Sequence, residues 1–210
     1  SIRPGWFYHA SQDNQVKSLA HLVDIYFKSV GYNSVLLLNI PPDTNGLIHQ
    51  NDCDRLKELR TYLDETFKTN YIRKGNGKWN PVSGDSKVYM VQKGAEVNTL
   101  LLQEDIAKGQ RVENFLVEGQ LNGTWQTLAA GTTVGYKRLV RFASCRPEQI
   151  RITVRSARGK ANILPAALYF ARPLEDLNAQ VQLGNVPVSS WEIMDGDAAA
   201  RMAIDHSMQT

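Results

Sequence analysis

The sequence has few cysteines, no long apolar run and no cluster of charge of one sign. Its two cysteines, Cys53 and Cys145, are far apart and suggest neither a disulfide framework nor a metal site. No stretch approaches the roughly 20 apolar residues of a membrane span. The 24 basic and 21 acidic residues are balanced, and no more than two basic residues are adjacent. We therefore predict no metal, no cofactor, no membrane insertion and no nucleic-acid partner.

The first nine residues, SIRPGWFYH, contain an unusual density of aromatic rings. A Pro-Gly turn precedes three consecutive aromatic residues and a histidine, a composition typical of a loop. Such a run either packs as a hydrophobic plug or lines a pocket. Core packing is favoured for at least one of Phe7 and Tyr8. Trp6, directly after the glycine, is the better candidate for a ring that faces a ligand.

An apolar run, Val35 to Leu38, ends abruptly in Asn39 and a double proline. The run shows no polar alternation, which predicts a strand covered on both faces, as in parallel α/β sheets. The loop that follows the carboxyl end of such a strand lies on the ligand-binding face. Asn39 and Asp43 are therefore near any chemistry, although their more ordinary role is to fix the turns of the loop.

Helical patterns flank this strand on both sides. Ser18 is predicted to cap the first helix and Gly31 to end it in a left-handed conformation, while Asn51 is predicted to cap the second. The predicted buried residues are Leu19, Leu22, Val23, Tyr26, Phe27 and Val30 in the first helix, and Leu56, Leu59, Leu63 and Phe67 in the second. Helix, strand and helix at this spacing fit the end of a (β/α)8 barrel and equally a doubly wound sheet.

From Asn70 onward the pattern becomes irregular and then β throughout. The predicted strands are Val88–Val91, Thr99–Leu102, Val112–Leu121, Trp125–Ala130, Leu139–Phe142, Ile150–Val154 and Ile163–Phe170. Asn122-Gly123 predicts a hairpin because both turn residues must accept a positive φ. This series of short strands predicts a jelly-roll-like β-sandwich. We interpret its arginines as a solvated face or ion-pair partners rather than a glycan site; they are Arg138, Arg141, Arg151, Arg155 and Arg158.

Several long motifs resemble one enzyme family. SIRPGWFYH, SVGYNSVLLLNIPPD and GLIHQND resemble the end of the catalytic barrel of family 29 α-L-fucosidases, particularly bacterial ones. QEDIAKGQRVENFLVEGQLNGTW and AAGTTVGYKRLVRF are similar to that family's carboxy-terminal β-sandwich. The last segment, with Trp191 and AIDHSMQT, resembles the start of a discoidin-like (F5/8 type C) carbohydrate-binding module.

The resemblance implies an α/β plus all-β fold class and an order of parts. Residues 1–72 would form the end of a (β/α)8-type barrel and residues 73–172 a β-sandwich. Residues 173–186 would be a linker, and residues 187–210 the start of the discoidin-like module. The chain lacks an initial methionine and a signal peptide, so we expect the natural protein to extend upstream.

The resemblance also implies a retaining α-L-fucosidase that acts by double displacement on terminal fucose. Its Asp nucleophile and Glu acid/base are both expected upstream, so no catalytic residue is predicted within this chain, and the segment alone is predicted to be inactive. Trp6 resembles the aromatic residue that packs on the C5 methyl group of fucose. Arg3 contributes to the same wall or braces the loop. Asp13, Asp43, Asp52 and Asp54 are assigned structural roles.

The implied partners are fucosylated oligosaccharides or glycoconjugates and the missing upstream barrel segment. The implied location is periplasmic or secreted. A second hypothesis, from a different functional class, is a non-catalytic, lectin-like protein that binds glycans through the β-sandwich and the terminal module. Saturable sugar binding by residues 75–172 alone would favour that second hypothesis.

Overall fold

A computed structural model describes residues 1–178 of the chain. The predicted start of a discoidin-like module, residues 187–210, lies outside the described residues, as does most of the predicted linker at residues 173–186. Within the described part, β-sheet predominates and helices are few. No helix in residues 1–178 is long and apolar enough to cross a membrane.

The chain divides into two compact units. The first contains Ser1–Ser29, Ser34–Asp64 and, within the described part of the chain, residues 172–178. The second contains Val30–Asn33 and Glu65–Ala171.

Helix α1, Leu19–Ser29, matches its prediction. The Ser18 hydroxyl oxygen accepts a hydrogen bond from the backbone N–H of His21 at 3.2 Å, which is the predicted amino-terminal cap. All six predicted core residues are buried: Leu19, Leu22, Val23, Tyr26, Phe27 and Val30. The helical periodicity predicts these buried positions correctly because the helix buries one continuous apolar stripe.

Helix α2, Gln50–Phe67, begins two residues earlier than a cap at Asn51 predicts and has a different cap. His49 takes the place assigned to Asn51, because its Nδ1 atom accepts the N–H of Asn51 at 3.2 Å. The side chain of Asn51 instead donates to the backbone carbonyl of Asp13 at 2.7 Å. Leu56 and Leu59 are buried as predicted. The predicted stripe is wrong further along, where Tyr62 and Thr66 are buried and Leu63 and Phe67 are only half-buried.

The strand predicted at Val35–Leu38 is absent from the described structure. Val35 is 75% exposed and Leu37 is 89% exposed, so the face that these two residues would share in a strand is uncovered, while Leu36 and Leu38 are half-buried. A strand requires backbone partners on neighbouring strands, and an apolar run does not provide them by itself. The run ends at Asn39, whose carbonyl accepts a hydrogen bond from the N–H of Ile2 at 2.9 Å. The first unit also contains a short 3-10 turn, Ala10–Gln12, and helix α3, Leu174–Asn178.

The second unit contains two antiparallel sheets. The five-stranded sheet has the order β1-β2-β7-β4-β5, with strands Ile72–Lys74, Ser86–Val91, Gln149–Ala157, Val112–Leu121 and Thr124–Gly131. The three-stranded sheet has the order β6-β3-β8, with strands Arg138–Cys145, Val97–Leu102 and Ala167–Tyr169. Buried residues of both sheets form one hydrophobic cluster that includes Phe115, Ile150 and Leu100. Burial of this shared apolar surface holds the unit together.

The Asn122-Gly123 hairpin is confirmed. Strands β4 and β5 are joined at these two residues, whose φ angles are 52° and 77°. Two positive φ angles match the right-handed twist of the flanking strands. The last predicted strand was too long, since only Ala167–Tyr169 forms a strand. Pro165 interrupts the predicted run because proline has no N–H to donate to a ladder.

The predicted left-handed stop at Gly31 was also wrong. Asn33 has the positive φ, at 69°, and Gly31 is not among the residues with this conformation. The carbonyl of Gly31 accepts a hydrogen bond from the N–H of Leu139 in β6 at 2.9 Å. Asn33 Oδ1 also accepts the N–H of Lys137 at 2.8 Å. The chain therefore pairs with β6 at Gly31 and turns two residues later.

Candidate functional site

The aromatic loop, Ser1–His9, presents two neighbouring rings to solvent. Trp6 is 64% exposed and Phe7 is 73% exposed. Tyr8 is half-buried and donates a hydrogen bond from its hydroxyl to Asp13 Oδ2 at 3.2 Å. Of the two rings considered for core packing, Tyr8 is therefore the one held by the protein. Trp6 remains the better candidate for a ligand contact.

Arg3 lies completely buried beneath this loop. Its Nε atom donates to both carboxylate oxygens of Asp52, at 3.1 and 2.8 Å, and its Nη1 atom donates to Asp13 Oδ1 at 2.7 Å. The guanidinium carbon lies 4.8 Å from the centroid of the Tyr8 ring. The remaining nitrogen, Nη2, is buried and has no hydrogen-bond partner among residues 1–178. Of the two roles predicted for Arg3, this arrangement favours bracing of the loop.

Asp13 connects the aromatic loop to the start of α2. In addition to Arg3 and Tyr8, its carboxylate approaches His49, whose Nε2 atom lies 3.4 Å from Asp13 Oδ2. The hydrogen bond from Arg3 stabilises the ionised carboxylate and lowers the pKa of Asp13 below that of an ordinary aspartate. Asp13 is therefore a carboxylate that stays charged, which suits a structural ion pair and not a general acid.

The loop after residue 38 is organised by Asn39 and Asp43. Asn39 Nδ2 donates to the carbonyl oxygen of Trp6 at 2.8 Å and to Ser1 Oγ at 3.1 Å. Asp43 Oδ1 accepts the backbone N–H groups of Asn45 and Leu47 at 2.8 and 3.0 Å. Bonds from these N–H groups, with Leu47 contributing most, lower the pKa of Asp43. Asp43 thus fixes a turn, as predicted, whereas Asn39 also holds the aromatic loop.

Sequence reasoning missed the network that joins Arg3, Asp13, Asp52 and His49. It assigned each of these residues separately, because Arg3 and Asp52 are 49 positions apart. The one available signal was an arginine inside an otherwise aromatic and apolar segment, which has to be paired when it is buried. No group of three or more His, Cys, Asp or Glu residues within residues 1–178 is arranged to hold a metal ion.

Two of the arginines assigned to the sandwich, Arg151 and Arg158, have carboxylate partners within their own unit. Arg151 makes a bidentate pair with Glu118 at 2.7 and 2.7 Å and stacks on the Trp125 ring at 4.4 Å. Arg158 Nε donates to Glu113 at 2.6 Å. The geometry of these two arginines fits the prediction that they are ion-pair partners.

Asp13 gives a test based on pH. Its folded-state pKa is depressed, so its contribution to stability is complete above the ordinary aspartate pKa and is lost as the pH falls through the folded value. The unfolding temperature of the wild type should exceed that of Asp13→Asn near pH 6. This gap should narrow steadily toward pH 2 in thermal scans followed by circular dichroism. A gap that is constant or widens on acidification would contradict the assigned ion pair.

Comparison with known proteins places these features in a family. Residues 1–67, which include the aromatic loop and α2, match the family model described as "Alpha-L-fucosidase". A crystal structure from Bacteroides ovatus ATCC 8483, provisionally named an α-L-fucosidase, is 48% identical, with a TM-score of 0.81 over 91% of this chain and 33% of that one. A Ruminococcus gnavus family 29 fucosidase, solved in complex with fucose, is 28% identical, with a TM-score of 0.72 over 82% of this chain and 40% of that one.

A curated plant protein agrees. Alpha-L-fucosidase 1 of Arabidopsis thaliana is 32% identical over 80% of this chain and 39% of its own length. The chain spans less than half the length of each of these three proteins. The family model, a curated relative and the solved structures therefore all indicate the same family. The chain belongs to glycoside hydrolase family 29, the α-L-fucosidases.

Proposed function

We propose that this chain is part of a retaining α-L-fucosidase that removes terminal α-L-fucose from oligosaccharides or glycoconjugates. The observation that carries the proposal is the exposed Trp6 ring, in a loop held by buried ion pairs, within the residues that match the α-L-fucosidase model. An aromatic ring can distinguish a deoxy sugar because the C5 methyl group offers an apolar contact. The longer enzyme is called the parent enzyme below.

In the parent enzyme, the first unit would be the end of a (β/α)8 barrel. Residues 35–38 would then be a barrel strand whose neighbours come from sequence outside this chain. The exposure of Val35 and Leu37 supports this proposal, because the face that these two residues would share is normally covered in such a strand. The two antiparallel sheets with their shared core would be the jelly-roll-like β-sandwich. For the discoidin-like module at residues 187–210, sequence similarity is the only support.

We place the catalytic pair outside this chain. A retaining glycosidase needs two carboxyl groups about 5–5.5 Å apart, here an Asp nucleophile and a Glu that acts as acid and then base. The carboxylates closest to the aromatic loop are already engaged. Asp52 is fully buried against Arg3, Asp13 pairs with Arg3, and Asp43 accepts two backbone N–H groups. This chain would contribute the pocket wall at Trp6.

Replacement of Trp6 by alanine in the parent enzyme provides the direct test. Loss of an apolar contact with one methyl group is worth about 10- to 200-fold in discrimination between substrates. We expect kcat/KM for an aryl α-L-fucoside to fall by roughly this factor. The matched aryl pentopyranoside has the same ring hydroxyls and no C5 methyl group. For this substrate, kcat/KM of Trp6→Ala should be nearly that of the wild-type enzyme. Steady-state kinetics with both substrates measure the effect.

Trp125→Ala is the matched control, since Trp125 lies in β5 and stacks on Arg151. It should change neither substrate's kinetics by more than about twofold. An equal fall in kcat/KM for both substrates in Trp6→Ala would show that the ring does not recognise the methyl group. A parent enzyme with no activity on the aryl fucoside would overturn the proposed function itself.

We also propose that the parent enzyme is periplasmic or secreted, because fucosylated glycoconjugates are typically encountered outside the cell. Cell fractionation, with detection of the natural full-length protein by antibody, tests this location. Recovery with the cytoplasmic fraction alone would contradict it.

A further inference from the structure

Asn39 joins both ends of the turn that precedes the exposed tryptophan. Its Nδ2 atom donates to the Trp6 carbonyl oxygen at 2.8 Å and to Ser1 Oγ at 3.1 Å. The Ser1 hydroxyl in turn donates to the carbonyl of Gly5 at 2.7 Å. The backbone carbonyl of Asn39 accepts the N–H of Ile2 at 2.9 Å. One residue after the apolar run thus contacts the aromatic loop at three points.

Different residues hold the loop on the other side of the exposed Trp6 and Phe7 rings. Tyr8 donates to Asp13, and the Arg3 guanidinium lies against its ring at 4.8 Å. Trp6 and Phe7 therefore lie between two fixed positions, the Trp6 carbonyl and the Tyr8 side chain. The two contacts differ in kind. The Tyr8 side depends on charge, whereas the Trp6 side depends on neutral amide donors.

We propose that Asn39 is a positioning residue for Trp6 and thereby sets how well the site binds the sugar. This proposal rests on the proposed function, in which the Trp6 ring contacts the substrate. A primary amide is required because the Trp6 carbonyl needs a donor. A leucine of similar shape offers no donor, and an aspartate would place an acceptor against an acceptor. Asn39 acts through Trp6 and does not contact the sugar.

A double-mutant cycle in the parent enzyme tests this coupling. Asn39→Leu alone should raise KM for an aryl α-L-fucoside by about 3- to 10-fold, the effect of one neutral hydrogen bond, and change kcat by less than about twofold. In the Trp6→Ala background, the same substitution should change KM by less than about twofold, because the ring that it positions is gone. Additive losses in the two backgrounds would overturn the proposal.

Asn39→Asp is the second variant. It should reproduce the KM effect if loss of the donor is the cause, and near-wild-type kinetics in Asn39→Asp would overturn the proposal. Asn114→Asp serves as the control. Asn114 is an exposed asparagine in β4, and its replacement by aspartate introduces the same negative charge far from Trp6 in sequence. Its KM should remain within about twofold of the wild type.

A spectroscopic measurement separates this inference from the proposed function. The protein is labelled with 5-fluorotryptophan, and the Trp6 resonance is assigned by its loss in Trp6→Phe. In Asn39→Leu and in Asn39→Asp, the Trp6 fluorine resonance should shift and broaden, while those of Trp79 and Trp125 stay unchanged. An unchanged Trp6 resonance overturns the positioning role even if the enzyme is a fucosidase. A shifted resonance without fucosidase activity supports the positioning and overturns only the function.

Discussion

Replacement of Arg3 by methionine should lower the free energy of unfolding by about 3–5 kcal/mol, which is the cost of breaking a buried ion pair by removing one partner. Arg3 and Asp52 are both fully buried, and Arg3 Nε contacts both Asp52 oxygens. Methionine fills a similar volume, so the loss reflects the uncompensated Asp52 charge more than a cavity. Urea unfolding followed by circular dichroism measures the change.

Two further variants sharpen this expectation. Lys28→Met removes an exposed ion pair with Asp24 on α1 and should cost no more than about 0.5 kcal/mol. Arg3→Lys keeps the positive charge but loses the planar fork that serves Asp52 and Asp13 together, so it should rescue only part of the loss. An Arg3→Met loss below about 1 kcal/mol would show that the ion pair is not a main support of the loop.

The Arg3 network also separates structural from functional carboxylates. Asp13 and Asp52 lie near the exposed Trp6 loop in sequence or space, and either could be mistaken for a catalytic residue. Their contacts point the other way, because both carboxylates accept hydrogen bonds from Arg3. A nucleophile or acid/base must face the sugar and change its charge state during the reaction. A carboxylate committed to a buried arginine is poorly suited to that task.

The elements predicted correctly are those whose determinants are local in sequence. The Asn122-Gly123 turn needs two adjacent residues that tolerate positive φ, and both have it. In β7, Ile150, Ile152 and Val154 are buried in alternation, as their spacing predicts. Helix α1 was predicted for the same reason, since its cap and apolar stripe lie within a dozen residues.

The predictions that failed depend on partners far away in sequence. The apolar run at residues 35–38 predicts burial, but burial needs neighbouring strands, and the described part of the chain provides none beside it. The cap of α2 was assigned to Asn51 by residue preference, yet that side chain bonds to Asp13, 38 positions away. The Trp6 loop was found from composition. That Arg3 and Asn39 support this loop could be seen only in the folded structure.

Glu104 should be the most sensitive position of the second unit. Its buried carboxylate accepts three backbone N–H groups, from Arg111 and Val112 through Oε1 at 2.8 and 3.1 Å and from Gly135 through Oε2 at 2.8 Å. Its own N–H also donates to the Gly135 carbonyl at 2.7 Å. The side chain therefore joins the start of β4 to the segment that precedes β6, two regions that share no strand ladder in the described structure.

Glu104→Ala should cost about 3–5 kcal/mol, because each buried N–H left without an acceptor costs about 1–3 kcal/mol and the site can admit some water. Glu104→Gln should cost roughly half as much, since the amide keeps one oxygen and places an NH₂ group against the remaining donor. Glu148→Ala, at an exposed glutamate just before β7, should stay within about 0.5 kcal/mol of the wild type. Urea unfolding of the three variants gives the comparison. If Glu104→Gln and Glu104→Ala were equally harmless, the carboxylate would not be what joins these two segments.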